Sequence, residues 1–190
     1  MRQRRGLCRG YAALRRLGDA IAFDSANCLV RNAGCDAGGA DTARPGYQKG
    51  GNGTMYSGTG NDTYYVQNTG DNVVEAGGAG NVNATGNSLA NMLNGNDGNN
   101  TINGKGGADK LTGGLGADIF LFETGSGADT IGDFSAVQSD LINVNAYTGG
   151  VANAGMVAQA GSDVVITLGG GNAITVTGAV VADVLAHMVW

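Results

Sequence analysis

Proline, histidine and aromatic side chains are scarce in this chain, and each scarcity removes a class of explanation. The 190 residues hold one proline, one histidine and one tryptophan, and aromatics make up 6%. A layered globular core of this size ordinarily carries more large apolar side chains. No HExxH or GxSxG occurs, so zinc hydrolysis and a Ser-His-Asp site both lack their residues. The lone His187 reads as a surface or packing residue. Carboxylates are plentiful, but no acid/base pair stands out among them. By itself the chain reads as a non-enzyme. No window reaches the eighteen or so consecutive apolar residues of a spanning helix, so no transmembrane segment is expected.

Positive charge is also scarce outside the N-terminal segment. Residues 1–49 carry nine of the eleven Lys/Arg and four of the sixteen Asp/Glu, a balance of +5. Residues 50–190 keep only Lys105 and Lys110 against twelve acids, a balance of −10. Phosphate contacts need clustered Lys/Arg, so no nucleic acid is expected as a partner. An acidic, glycine-rich body suits a cation instead. The N-terminal arginines (Arg2, Arg4, Arg5, Arg9) resemble the start of a signal peptide, yet Arg15, Arg16 and Asp19 interrupt the apolar stretch that should follow. A conventional signal peptide is not expected. Leu7, Tyr11, Leu14, Leu17 and Ile21 recur at helical spacing, which allows a short helix up to about Gly18 in a segment expected to be poorly ordered. Cys8, Cys28 and Cys35 match no zinc spacing.

What the chain has in excess is glycine, 36 residues of it, arranged with a period. Five nine-residue blocks start at Gly77, Gly86, Gly95, Gly104 and Gly113 without a gap. Their sixth positions are Val82, Asn91, Asn100, Asp109 and Asp118; their eighth are Ala84, Leu93, Ile102, Leu111 and Phe120. A two-residue insertion, Phe122-Glu123, precedes TGSGADTIG, which puts Asp129 sixth and Ile131 eighth. Upstream, SGTGNDTYY gives Asp62 and Tyr64 the same roles, and GGNGTMYS looks like a shortened block. A flexible linker would not place an apolar residue at every ninth position. The first six residues suit a tight turn, where glycine reaches positive φ freely, and the last three suit a short strand with its eighth residue inward.

These blocks match the consensus GGxGxDxUx, and the chain resembles the RTX family of calcium-binding secreted proteins over about residues 50–132. The resemblance implies an all-β fold, a right-handed parallel β-roll in which two blocks make one turn. Leu93 then lies over Leu111, and Ile102 over Phe120. One inward side chain per nine residues buries too little area to offset the ordering entropy. Calcium, which takes six to eight oxygen ligands, would make up the shortfall, so folding and binding are expected to be coupled. The implied ligands are the side chains of Asp62, Asn100, Asp109, Asp118 and Asp129. Turn residues Gly95, Asp97, Gly104, Gly106, Gly113, Leu115 and Gly127 complete the set. Asp109 with Asp129 offers two carboxylates, whereas Asn100 with Asp118, and Asn91 with Asp109, offer one each. Leu89 stands at a glycine position, and for Asn91 turn capping and ligation both remain open.

Residues 129–144 resemble the segment that closes β-rolls in secreted RTX enzymes, with Asp133 and Asp140 at its acidic positions and Asn143 where an acid is usual. Capping and ligation are both open for these two aspartates. Residues 162–168 and 173–177 read as a β-hairpin cap around Gly169-Gly170-Gly171-Asn172. The tail AVVADVLAHMVW resembles the C-terminal address read by type I secretion machinery; its plainer reading is a last strand or helix over the roll's end. The expected organisation is thus a basic segment (1–49), a calcium-binding roll (50–132), and a cap with secretion address (133–190). The function expected is that of an extracellular structural, adhesive or assembly module, with self-association at an uncovered end. The alternative is the C-terminal secretion and folding module of a larger exoenzyme.

Overall fold

The computed structural model describes residues 61–66, 72–73 and 80–190, together with the backbone of four short strands further upstream. Those four are β1 (Phe23–Asp24), β2 (Asn27–Val30), β3 (Thr42–Pro45) and β4 (Thr54–Met55). The helix expected near Gly18 and the three cysteine side chains lie outside the described residues. The roll continues through β5 (Asp62–Tyr65), β6 (Asn72–Val73), β7 (Val82–Asn87) and β8 (Met92–Asn94). It proceeds to β9 (Thr101–Lys105), β10 (Lys110–Thr112), β11 (Ile119–Leu121) and β12 (Ala128–Ile131). The cap adds β13 (Leu141–Asn143), α1 (Asn145–Thr148), β14 (Val157–Ala160), β15 (Asp163–Gly169), β16 (Asn172–Val176), α2 (Val181–Ala186) and β17 (Met188–Val189).

From β3 to β13 successive strands alternate between two sheets, as a coil with two blocks per turn requires. One sheet runs β1-β2-β3-β5-β7-β9-β11-β13-β17, and the other runs β14-β15-β16-β12-β10-β8-β6-β4. From β5 to β13 every pairing within a sheet is parallel. The chain is a parallel β-roll.

The eighth-position residues, joined by Val73 and Ile142, form two columns facing one another. Tyr64, Ala84, Ile102, Phe120 and Ile142 stack in the first sheet, and Val73, Leu93, Leu111 and Ile131 in the second. Each is at most 1% exposed, so among the described residues the thin core runs without a gap. The insertion does not break it. Phe122 turns inward and is buried, while Glu123 stays outside and pairs with Lys105.

The parallel sheets continue past residue 132 into the cap. β13 pairs with β11, β17 pairs with β13, and β16 pairs with β12, all parallel. β15 and β16 form the hairpin expected from the sequence, with β14 added on its outer side. The apolar tail becomes α2 and β17, with Val184 and Met188 buried in the core. It covers the last coil, in line with its plainer reading. Among the described residues, no helix is long and apolar enough to cross a membrane.

Candidate metal centres in the stacked turns

The turns between strands stack as regularly as the strands. In one column the backbone N–H of each sixth residue donates to the side chain of the sixth residue one coil further on. Val82 donates to Asn100 Oδ1 (2.8 Å), Asn100 to Asp118 Oδ1 (2.8 Å), and Asp118 to Asp140 Oδ1 (3.0 Å). In the other column Asn91 donates to Asp109 Oδ1 (2.7 Å), and Asp109 to Asp129 Oδ1 (3.0 Å). The pairings expected across the insertion are therefore the ones formed. Asp140 joins the first column as its last member, although no repeat motif surrounds it.

The side chains of Asn91, Asn100, Asp109 and Asp118 each fold back over the first glycine of their own block. A Cβ placed on Gly104 would lie 2.2 Å from Asp109 Oδ2, and one on Gly113 would lie 2.1 Å from Asp118 Oδ2. Glycine is needed there to leave room for the carboxylate rather than for an unusual φ. Left-handed backbone comes at the second and fourth positions instead: Lys105 and Gly107, Gly114 and Gly116, Gly125 and Gly127. Lys105, at φ 68°, is the non-glycine exception among them.

One oxygen of each carboxylate is thus satisfied and the other is not. Asp109, Asp118 and Asp129 are at most 3% exposed, and the Oδ2 of each has no hydrogen-bond partner. A buried carboxylate oxygen without a donor is costly. Burial accordingly pushes the Asp109 carboxyl up to about 7, against the Asn91 N–H that lowers it and with the Asp129 charge adding to the rise. Burial pushes Asp118 to about 6, opposed by the Asn100 N–H and reinforced by the charge of Asp140. Asp129 also rises to about 6 through burial, opposed by the Asp109 N–H and the Ser126 hydroxyl. Asp140 is raised by burial too.

The remaining candidates fall into distinct groups. Asp133 accepts from the N–H groups of Gly113 and Gly114, and Asp140 also accepts from the Ser135 N–H. Both therefore cap turns with both oxygens. Asp97 and Leu115 turn their side chains to solvent, which leaves main-chain carbonyls as what they offer a turn. Gly95, Gly104, Gly106, Gly113 and Gly127 lie against backbone or sixth-position side chains of their own or the stacked turn. The Asp62 side chain lies outside the described residues, though its backbone pairs with Val82 as a sixth position should. Asn143 accepts from the Asn145 N–H at the start of α1. His187 packs edge-on against Phe134, and its Nδ1 lies 2.8 Å from the Asp183 carbonyl oxygen. Leu89 is exposed, and its backbone leaves no room for a Cβ at Gly107.

Two contacts that close the second column carry no sequence signal of their own. The Tyr147 hydroxyl accepts from the Ser126 N–H at 2.9 Å and lies 3.0 Å from its Oγ. Asn172 accepts from the Gly127 N–H, 45 residues away in the chain. Both come from the cap and stand where another repeat would have stacked.

Among the described residues, no three His, Cys, Asp or Glu side chains gather into a metal cluster. Any ion in these turns is held chiefly by carbonyl oxygens, with one or two carboxylates. That donor set suits a hard cation such as calcium and does not suit zinc.

Comparison with known proteins identifies the repeat. Residues 85–120 match the RTX calcium-binding nonapeptide repeat in four copies. No curated protein matches the chain. Solved structures similar to it include the extracellular lipase LipA from Serratia marcescens, with 16% identity and a TM-score of 0.44. That alignment covers 86% of this chain and 41% of the lipase, so the present chain spans less than half of the lipase's length. The chain carries RTX nonapeptide repeats wound as a parallel β-roll, and calcium is the ion such repeats bind.

Proposed function

We propose that this protein is a secreted structural module whose roll folds around calcium. The observation that carries the reading is the buried, donorless Oδ2 of Asp109, Asp118 and Asp129. Three such oxygens in one small domain are unfavourable unless a cation meets them. Asp109, Asp118 and Asp129 would hold calcium through these oxygens, with turn carbonyls completing the shell, and Asp133 and Asp140 would add charge at the Asp118 end. Asp62 takes the same role in the upstream block. Bound calcium supplies charge neutralisation and a centre around which the turns order.

Residues 50–132 then form the binding roll, and residues 133–190 its cap. Extracellular modules of this kind bind calcium at roughly 10⁻⁴ to 10⁻³ M, which cytosolic calcium does not reach. The chain would leave the cell unfolded through type I secretion machinery, with its tail as the address, and fold outside. The tail and the hairpin lie over the C-terminal coil, which supports self-association through the N-terminal end. Pairing of strand edges at that end with a second copy would favour assembly of a matrix or adhesive layer.

Equilibrium dialysis against calcium, followed by sedimentation of the full chain, tests both parts. Several bound ions and a species larger than the monomer are expected. Absence of bound calcium at millimolar concentration would overturn the first part, and a monomer at high concentration the second.

A further inference from the structure

We propose that the stacked turns 95–100 and 113–118 take the Asn100 side-chain amide in place of calcium, so that one residue withholds an ion from an otherwise suitable cage. The inference rests on the reading of the aspartate turns as calcium sites.

Asn100 is 1% exposed, and its Nδ2 is surrounded by oxygen. It donates to the carbonyls of Gly98 (2.8 Å) and Gly113 (3.0 Å), and reaches that of Asn96 at 3.3 Å. It also donates to Asp118 Oδ1, at 2.9 Å. Four oxygens from two stacked turns converge on one atom, which is the beginning of a calcium shell with nitrogen at its focus. The orientation of the amide follows from its partners. Asn100 Oδ1 accepts from the Val82 N–H, which cannot accept, and the carbonyls around Nδ2 cannot donate.

The same place in the aspartate turns is filled by an acceptor. Asn100 Nδ2 lies over Gly95 as Asp109 Oδ2 lies over Gly104 and Asp118 Oδ2 over Gly113. An amide there closes the turn with its own protons. A carboxylate oxygen there has none, and needs a cation. The backbone differs in step with the side chain: the left-handed pairs fall in the three aspartate blocks and at none of Asn87, Leu89, Asn96 or Gly98. Asparagines at the fifth position add a second protein-only closure beside Asn100. Asn81 donates its N–H to Asn61, Asn99 to Asn81, and Ala117 to Asn99, at 2.8, 3.0 and 2.9 Å.

Native mass spectrometry of the full chain in calcium, on wild type, Asn100→Ala and Asn100→Asp, decides the matter. Asn100→Ala should bind as many ions as wild type, because the amide is not a ligand. Asn100→Asp should bind one more, since it places an oxygen where the nitrogen was and Gly95 already leaves room for it. In chelator, Asn100→Asp should also lose β-signal relative to wild type. One ion fewer in Asn100→Ala would show that Asn100 ligates calcium, and would overturn the inference while leaving the aspartate sites intact. No additional ion in Asn100→Asp would overturn it as well, and this arm decides alone if Asn100→Ala does not fold. A wild-type chain without bound ions would overturn the reading beneath it.

Discussion

Replacing Asp118 with asparagine should move the calcium-free and calcium-bound states in opposite directions. Burial holds the Asp118 carboxyl at about 6 in the fold, against an ordinary value of 3.8. At about 1.4 kcal/mol per pKa unit, keeping it ionised costs the calcium-free fold roughly 3 kcal/mol at neutral pH. Against a total stability of roughly 5–15 kcal/mol for a domain, that is a large share. Asparagine keeps the shape without the charge, and at position 100 of the same column its amide already bonds the surrounding carbonyls. In chelator, Asp118→Asn should therefore gain up to roughly 3 kcal/mol. In calcium it loses a carboxylate that would face the ion, and affinity at that turn should fall roughly tenfold or more. Urea unfolding followed by far-UV circular dichroism, in chelator and in calcium, reads both effects. A variant less stable than wild type in chelator would show that the buried charge is not what opposes folding.

Protons should replace calcium in part. The carboxyls of Asp109, Asp118 and Asp129 stand at about 7, 6 and 6 in the fold, all raised by burial. A carboxyl raised on folding stabilises the fold fully below its unfolded value and loses that contribution as pH climbs through its folded one. With calcium removed, β-signal should thus grow as pH falls from about 8 to about 5, and a flat or falling signal would contradict this. Gly113→Ala should weaken calcium binding, as its Cβ would meet Asp118 Oδ2 at 2.1 Å and force the carboxylate aside; calorimetric titration equal to wild type would disprove the packing. Asp109→Ala should lose more calcium affinity than Asn91→Ala, because Asp109 carries the donorless oxygen and the neighbouring Asp129 charge. Equal losses by calorimetry would remove that ranking.

The repeat made most of the roll readable, because a fixed period carries information about the nearest stacked neighbour. Leu93 over Leu111, Ile102 over Phe120, and Asp109 beside Asp129 across the insertion all follow from counting. What closes the roll does not repeat, and so left no periodic trace. Tyr147 on Ser126 and Asn172 on Gly127 join residues 21 and 45 apart that share no motif. Phe122 shows the same limit, since an insertion reads as an interruption until its side chain is seen within the core. Asn100 was readable as a sixth-position residue but not as a donor. Whether an amide ligates or replaces an ion depends on which atom faces the cage, and residue type alone does not give that. Lys105 is a further case, holding a left-handed conformation at a position where glycine would be expected.

Far-UV circular dichroism of the full chain, in chelator and then in millimolar calcium at neutral pH, bears on coupled folding without intermediary. With three buried carboxylates each lacking a donor to one oxygen and a core of only two facing columns, the chain should show little β-structure in chelator. It should gain the β-roll spectrum as calcium is added. Identical spectra in the two solutions would mean that the roll folds without the ion, and that calcium does not organise its turns.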